Sequence, residues 1–439
     1  MRQKESRSRL IQALIDAFSL PDLRRKLLFT IGILIAFRFI AHVPLPGINL
    51  EALKNLFDNN QLLGMLDLFS GGAMRNFSIA AMGVYPYITS SIIMQLLVPV
   101  VPSLRALSEE GEAGRRKINQ YTHWLTVPLA AMQGYAQLVL LRSQGAVAGS
   151  GTLETITIIV SMTAGTMFLV WLGELITERG IGNGVSIIIF GGIVAGFPEM
   201  IGRGFVAGGT NWGGVVTFAI LSLLTVTLIV IFTEGHRRIP VQYAKTAIKG
   251  NKIYRQSGST YVPLRVNTAG MIPLIFAMSL MIFPGTLASY FVAPQGQDPN
   301  FANTIAAWFN PGAALPVGLF YWVFYFALVV AFAFFYTMVV FQQMDLAKTL
   351  QRQGGFVPGV RPGKPTEEYL NAVISRITWG GALFLGIVAI LPFLAREMTS
   401  VAVLTLSSTG LLIIVGVALD TMKQVEAQLT MRKYEGFLK

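Results

Sequence analysis

Ten long apolar runs dominate this chain and restrict the folds that it can adopt. They lie near residues 27–43, 76–100, 122–141, 153–176, 184–201, 214–233, 269–291, 315–341, 374–394 and 401–421. Each run is longer than a β-strand and approaches the roughly 20 residues that cross a bilayer as a helix. Only 13% of the residues are charged, whereas soluble domains average about 25%. The sequence therefore predicts an all-α polytopic membrane protein with ten transmembrane helices.

The basic residues indicate how such a protein is oriented. If the N-terminus is cytoplasmic, the cytoplasmic segments contain 28 of the 34 Lys and Arg residues. Cytoplasmic segments of membrane proteins carry this excess, so both termini are predicted to be cytoplasmic. Residues 1–26 combine basic residues with apolar ones at helical spacing, which predicts an amphipathic segment on the membrane surface. Residues 422–439 are predicted to be a cytoplasmic tail.

A repeated motif indicates that the spans form two halves. Residues 83–86 in the second span and residues 270–273 in the seventh share the spacing Gly-x-x-Pro. Each motif would lie in the second helix of a five-helix half, 27–201 or 202–421. Because five is odd, the two halves would be inverted relative to each other. Paired helix breaks in inverted halves are typical of proteins that move substrates across membranes.

Residues 62–73 form an apolar segment that is too short to cross a bilayer. The segment contains Asp67 and ends at Ser70-Gly71-Gly72, which a helix tolerates poorly. Two interpretations are open from the residues alone: a re-entrant element buried in protein, or an amphipathic segment on the membrane surface. For membrane proteins in general, the surface location is the more frequent one.

The two longest cytoplasmic loops, about 234–268 and 342–373, are basic and rich in turn-forming residues. One interpretation is that they only reflect the excess of positive charge on the cytoplasmic side. The other is that they form a docking surface for an acidic partner, either a protein or RNA phosphates.

No catalytic motif is present in the sequence. It lacks a phosphate-binding Gly-rich loop with Lys-Ser/Thr, an HExxH motif and a GxSxG motif. It contains no cysteine, and His42, His123 and His236 lie near the ends of different spans. We therefore predict that the protein is not an enzyme and has no cofactor or metal site.

The centres of the spans are uncharged. The ionisable residues Arg38, Glu174 and Asp420 lie near span ends, whereas ion-coupled transporters usually keep such residues near the middle of the bilayer. This argues against a secondary transporter with inverted repeats, the main alternative, and a membrane-embedded enzyme is less favoured still. The central aliphatic residues could form an apolar constriction that gates a pore. Alternatively, they only face lipid or neighbouring helices.

Six motifs, taken together and in order, resemble the SecY family of bacterial protein-conducting channels along essentially the whole chain. They are Phe69-Ser70-Gly71-Gly72-Ala73, Gly83-Val84-Tyr85-Pro86-Tyr87-Ile88, Glu110-Gly111-Glu112-Ala113-Gly114-Arg115-Arg116-Lys117-Ile118, Glu178-Arg179-Gly180-Ile181-Gly182-Asn183-Gly184, Pro358-Gly359-Val360-Arg361-Pro362-Gly363 and Tyr434-Glu435-Gly436-Phe437.

The resemblance implies two inverted five-helix halves around a central hourglass pore, closed by a re-entrant plug at residues 62–73. The implied plug and hinge residues are Leu66, Asp67, Phe69, Ser70, Gly71 and Gly72. The implied constriction comprises Val84, Ile88, Val185, Ile189, Ile275 and Ile413. The second, third, seventh and eighth helices would form a lateral gate toward lipid, with Thr89, Ser90, Gln95, Pro273 and Ser279 as gate residues. Asp67 is then expected at a water-filled funnel.

The resemblance also implies a function and a set of partners. The chain would pass unfolded secretory polypeptides across the bacterial inner membrane and release transmembrane segments sideways into the lipid bilayer. Its membrane partners would be SecE and SecG, and its clients would carry signal sequences. The motor ATPase SecA or the ribosome, including its RNA, would drive this passive pore. They would dock on the basic loops, through Arg361 first and also Arg237, Arg238, Lys249, Lys252 and Arg255.

Overall fold

The protein is mostly helical in a computed structural model of the chain. The structure describes residues 20–46, 70–143, 145–147, 151–207, 212–249, 252–267, 272–289, 291–292, 298–311, 316–344, 346–399 and 403–436, with single residues at 18, 53, 67, 270 and 313. Within these ranges the first seven helices are α1 Pro21–Ile40, α2 Tyr85–Val100, α3 Pro102–Glu109, α4 Glu112–Ser143, α5 Thr152–Arg179, α6 Gly184–Ala207 and α7 Trp212–Glu234. A hairpin of β1 His236–Lys249 and β2 Lys252–Arg265 follows, and then α8 Ile272–Ser289, α9 Phe301–Trp308, α10 Val317–Met344, α11 Leu346–Arg352, β3 Gly355–Phe356, α12 Lys364–Thr399 and α13 Val403–Gly436.

Several of these helices can cross a membrane. Among the described residues, four helical stretches are long and apolar enough: Glu112–Arg142, Thr152–Arg179, Val317–Arg352 and Lys364–Leu391. A fifth candidate is the pair α2 and α3, which bends by 95° at its break. Shorter apolar helices occur within α6, α7 and α8. The protein is therefore a helical membrane protein with several spanning segments, as the apolar runs predict.

Some helices extend well beyond the predicted spans. Helices α4 and α12 begin ten residues before the predicted span starts, at Glu112 and Lys364, and α13 continues fifteen residues past the predicted span end, to Gly436. The segment predicted as a tail is thus helical as far as Gly436. Hydropathy detects only the apolar part of a helix, because a helix satisfies its own backbone hydrogen bonds and can continue into water with polar side chains.

The first two spans also differ from their predicted boundaries. Helix α1 begins at Pro21, so the boundary predicted at residue 26 falls within it, and residues 1–17 of the predicted amphipathic segment lie outside the described residues. Helix α2 begins only at Tyr85, because residues 71–84 form turns. Gly83 has a positive φ of 57°, and Pro86 favours the first turn of a helix. These two residues therefore start the helix rather than interrupt it.

The two predicted halves touch mainly through two helix pairs. Taken as helices α1 to α6 and α7 to α13, the halves meet where α2 packs on α8 and where α6 packs on α13. Helices α2 and α8 begin at the repeated Gly-x-x-Pro motifs, and α6 and α13 are the last helices of their halves. We refer to these contacts as the α2–α8 seam and the α6–α13 seam.

The prediction of an all-α fold is wrong in the first long loop. Strands β1 and β2 pair antiparallel over their whole length, from His236 opposite Arg265 to Lys249 opposite Lys252. Strand β1 also pairs with β3, so the sheet order is β2-β1-β3. The reason is local: two polar strand-like runs are separated by two residues, Gly-Asn in the sequence, which is typical of a hairpin.

The two basic loops form one structural unit. Strand β3 belongs to the second long loop and pairs with β1 of the first at Gln242 and Tyr243. Beneath the sheet, Val241 and Leu264 of the hairpin share an apolar cluster with Leu350 and Leu370. The loops predicted at 234–268 and 342–373 therefore share one sheet and one apolar cluster, and their basic residues belong to a single structural unit.

Candidate pore and docking surface

The six candidate constriction residues lie on the two seams. Val84 and Ile88 belong to the start of α2, Val185 and Ile189 to α6, Ile275 to α8 and Ile413 to α13. Five of them are buried, and Val185 is partly buried against the same apolar cluster. We call these six residues the aliphatic set. The aliphatic set thus consists of residues far apart in the sequence that belong to the same apolar core, three on each seam.

A cavity lies beside the aliphatic set, between it and the base of the hairpin. Its volume is about 320 Å³, and Ile275 lines it. The other lining residues are Asn183, Ser186, Arg265, Ile272, Val417, Asp420, Thr421, Lys423, Gln424 and Ala427. Most of these side chains are polar or charged, and the cationic Arg265 and Lys423 lie near the Asp420 carboxylate. Apolar atoms of the lining residues nevertheless form most of the wall, so the cavity combines a mainly apolar wall with a few hydrogen-bonding and charged groups.

The turns that precede α2 contain the predicted hinge. Asp67 is buried, and its carboxylate pairs with the Arg75 guanidinium at 3.2 Å and accepts a hydrogen bond from the Arg75 backbone N–H at 3.1 Å. Ser70 Oγ donates to the Asp67 carbonyl at 2.9 Å. The expectation of a water-exposed Asp67 is therefore not met in this structure, because Arg75 neutralises the charge inside the protein. Leu66 and Phe69 lie outside the described residues.

Gly71 packs these turns against α1 and α6. Its φ of +70° is unfavourable for other residues, and a Cβ there would lie 2.6 Å from the Gly192 Cα of α6. One guanidinium nitrogen of Arg38 in α1 donates to the Gly71 carbonyl at 2.8 Å. Gly72 also has a positive φ, of +82°. The two contacts of Gly71 hold the hinge against α1 and α6.

A hydrogen bond between buried residues bridges the α2–α8 seam. The Tyr85 hydroxyl donates to the Ser279 carbonyl at 3.0 Å, and both residues are buried. The other predicted gate residues do not bridge this seam through described hydrogen bonds. Thr89 donates to Tyr85 and Gln95 to Ser91 within α2, Ser90 donates to Thr122 of α4 at 2.6 Å, and Pro273 is buried in the first turn of α8.

The α6–α13 seam has a different character. The backbone N–H of Gly182, just before α6, donates to the Gln424 side chain of α13 at 2.9 Å. Ile181 of the same turn packs in a small cluster with Val425 and Leu429 of α13 and with Leu23 of α1. The Gly-rich turn at 180–184 is a site of close packing, since Gly184 lies directly against the Gly173 carbonyl.

The basic unit formed by the two long loops carries the predicted docking residues. Strands β1 and β2 contain seven Lys and Arg residues and no Asp or Glu. Arg237 and Arg238 are exposed at the base of β1, and Lys249, Lys252 and Arg255 lie at the far end of the hairpin. Arg361 is exposed in a turn that is closed by a hydrogen bond from Thr366 Oγ1 to the Arg361 carbonyl at 2.8 Å.

Sequence reasoning missed three residues at these sites. It placed Arg38 within the first span without a partner, and it did not consider Tyr85 or Gln424 as bridging residues. Their partners Gly71, Ser279 and Gly182 lie 33, 194 and 242 positions away, so no local pattern could reveal them. The described residues contain no group of three His, Cys, Asp or Glu residues that could hold a metal ion.

Comparisons with known proteins agree with this architecture. The SecY family model matches residues 78–422. The chain is 42% identical over 449 residues to the protein translocase subunit SecY of Streptomyces scabiei, covering 98% of this chain and 100% of that protein. One solved structure is of a SecY protein whose plug domain is described as stabilising the closed state of the translocation channel. It has a TM-score of 0.63 at 17% identity over 92% of both chains. Canine Sec61 from a ribosome–channel complex has a TM-score of 0.59 at 17% identity, again over 92% of both chains.

The low identity to the solved channels supports the fold only, whereas the translocase subunits are similar over nearly the full length. Since the family model also covers most of the residues, the chain belongs to the SecY family of protein translocase subunits.

Proposed function

We propose that this protein forms the channel of a bacterial translocase, which passes unfolded secretory polypeptides across the membrane and releases transmembrane segments sideways into lipid. It is a channel subunit and not an enzyme. The observation that carries the proposal is the aliphatic set. Its six residues lie on the two seams between the halves, in one apolar core, and Ile275 also lines the cavity.

Physical chemistry explains why a translocase needs this arrangement. A translocating chain exposes backbone N–H and C=O groups that lipid cannot solvate, so its path must contain water. A resting pore must nevertheless exclude ions. Aliphatic side chains achieve this because a narrow apolar constriction loses its water. Residues 62–73 would form a plug that covers the constriction in the closed state and swings on Ser70-Gly71-Gly72, with the Arg38 and Arg75 contacts holding it in place.

Release into lipid follows from the same geometry. A client's transmembrane segment prefers the bilayer by about 0.3–0.6 kcal/mol for each Leu, Ile, Phe or Val at its centre. If the α2–α8 seam separates, that preference can sort the segment into lipid while a polar segment stays in the pore. Helices α2, α4, α8 and α10 would form this lateral gate.

The remaining features of the proposal follow the resemblance to the family. The chain would have ten transmembrane helices in two inverted halves, with both termini and the basic unit on the cytoplasmic side of the inner membrane. SecE and SecG would be its membrane partners. The sequence has no nucleotide-binding motif, so we assign the driving energy to SecA or to the ribosome. Their acidic or phosphate-rich surfaces would meet the hairpin and the Arg361 turn.

Reconstitution tests both the channel and its docking surface. Vesicles containing this protein with SecE, SecG and SecA are expected to import an unfolded presecretory protein when ATP is supplied. If they do not import it but accumulate a small solute, the protein is a transporter and the proposal fails.

The Arg361→Glu variant sharpens this test. It should assemble normally and lose most of the motor-driven import, because the reversed charge repels an acidic partner. Arg105→Glu is the matched control, since Arg105 is also exposed but pairs with Glu109 of its own helix at 3.4 Å. Equal import rates for Arg361→Glu and the unmodified protein would contradict a docking role for the turn.

A further inference from the structure

The short helix α9, which connects α8 to α10, has an unusual composition for a connector. Residues 299–344, which include α9 and all of α10, contain no Asp, Glu, Lys or Arg. This inference rests on the proposed function, in which α8 is the seventh span, so that α9 lies on the side of the membrane opposite the basic unit. A loop in water normally carries charge, and the sequence of α9, Phe-Ala-Asn-Thr-Ile-Ala-Ala-Trp, does not.

The exposed face of α9 is mainly apolar. Phe301 is 79% exposed and Trp308 is 45% exposed. Together with Thr304 they lie at helical spacings of three and four residues, which places them on one face. Two large aromatic side chains on the open face of a two-turn helix are costly in water.

This aromatic face is continuous with a surface that contacts lipid. The Trp308 ring lies 5.3 Å from that of Phe320, and the Phe320 and Phe324 rings stack at 5.7 Å, measured between centroids. Phe320 and Val323 lie on the exposed side of α10, one of the membrane-crossing helices. The apolar belt of α10 thus extends onto α9 without a polar break.

Helix α9 is also tied to the end of α8. Asn300 caps α9 through reciprocal hydrogen bonds with Asn303, and the Asn300 side-chain amide donates to the Phe291 carbonyl at 2.6 Å. Phe291 itself is 66% exposed. A force that holds α9 in place is therefore transmitted to the residues that immediately follow α8.

We propose that α9 is an interfacial anchor: its Phe301 and Trp308 face inserts into the lipid headgroup region opposite the basic unit and fixes that end of α8. Aromatic side chains concentrate at this depth because their rings are partly apolar and tolerate its polarity. The occupant is the bilayer interface itself. The anchor needs no anionic lipid, because it contains no cation.

The absence of cysteine in the sequence allows a direct test with single nitroxide labels. Labels on Phe301→Cys and, as a milder substitution, Thr304→Cys are placed in the full-length protein in phosphatidylcholine vesicles. Collision with oxygen and with a nickel chelate then reports depth. Both labels are expected about 5–10 Å below the headgroup boundary. Asp298→Cys is the control in water, and Val323→Cys the control inside the bilayer.

Three results would overturn the proposal. Nickel access at positions 301 and 304 equal to that at 298 would place α9 in water. Protection from both reagents only when partner subunits are added would make the face a protein contact. If the labels insert more deeply when phosphatidylglycerol is added, insertion depends on attraction between anionic lipid and a cation, and α9 contains no cation.

The link to α8 has its own readout. With the label on Leu287→Cys, a partly exposed residue of α8, the Asn300→Ala variant should broaden the measured depth. An unchanged depth distribution would show that α9 does not fix α8.

Discussion

The two seams between the halves are joined by different forces. The α6–α13 seam combines a backbone-to-side-chain hydrogen bond at Gly182 with an apolar cluster around Ile181. Lys26 of α1 adds a contact of 3.4 Å to Gln428 of α13. The α2–α8 seam is packed mainly by apolar side chains. Across it, the Tyr85 hydroxyl donates a hydrogen bond to the Ser279 carbonyl.

This difference indicates which seam opens. In a bilayer, apolar contact between helices has little hydrophobic driving force, because lipid tails solvate the separated surfaces equally well. The Ile181 cluster, by contrast, lies where α1 and α6 begin, so water would meet its apolar side chains if they separated, and the hydrophobic effect opposes that separation. We therefore expect the α2–α8 seam to separate readily while the α6–α13 seam stays closed.

Tethering each seam should have the largest effect and tests this comparison directly. A reducible bifunctional thiol reagent would bridge Tyr85→Cys with Ser279→Cys in one variant and Ile181→Cys with Val425→Cys in another. We expect the first tether to reduce import to background and the second to leave most of it, because only the first seam must open.

Cleaving the tether provides the control for this experiment. Import by the Tyr85–Ser279 pair should recover after reduction, which separates the tether from any effect of the substitutions. If both tethers block import equally, the seams do not differ in function.

The next largest effect is expected at the aliphatic set, where the seams should behave alike. An unpaired buried amide favours hydration by about 1–3 kcal/mol. Replacing Ile88 and Ile275 by Asn, or Ile189 and Ile413 by Asn, should therefore raise resting ion conductance by about tenfold or more.

Planar bilayer recordings without a client measure this leak. Val329→Asn is the matched control, since Val329 is fully buried in α10 but on neither seam. A leak from only one of the two double variants would mean that a single seam, not their junction, closes the pore.

A smaller effect is expected for Arg38→Gln, which weakens the contact between α1 and the hinge. A hydrogen bond from a charged group contributes about 1.5–3 kcal/mol, and every 1.4 kcal/mol changes an equilibrium about tenfold. Resting channels should open more often without a change in the seam that opens. Single-channel open probability measures this, with Arg105→Gln as the exposed control. An open probability equal to that of the control would show that Gly71 packing alone holds the glycine hinge at residues 70–72.

The sequence could predict the parts of this protein that depend on local apolar pattern. The membrane class follows from the apolar runs, and Ile88, Ile189, Ile275 and Ile413 were chosen on helices that the structure brings together. The choice of these residues depended on the family resemblance, because one buried aliphatic residue in a span looks much like another.

The rest depends on contacts between distant residues. Asp67 was expected in water because its partner Arg75 is recognisable only once the turns after it are folded. The hairpin was missed although its Gly-Asn turn was visible in the sequence, because its strands carry charge where a buried strand would be apolar. The two basic loops join through β3, and this requires Gln242 to pair with Phe356, 114 positions later in the sequence.

The smallest expected effect belongs to Tyr85→Phe, and it decides what closes the α2–α8 seam. The substitution keeps the ring and removes a neutral hydrogen bond, which contributes about 0.5–1.5 kcal/mol. A client signal sequence must supply the energy that opens the seam, so clients with weakened signals should be imported a few times faster. Tyr135→Phe, on a half-exposed residue of α4, should leave these rates unchanged. If Tyr85→Phe also leaves them unchanged, apolar packing alone sets the closing energy, and α2–α8 side-chain volume becomes the quantity to vary.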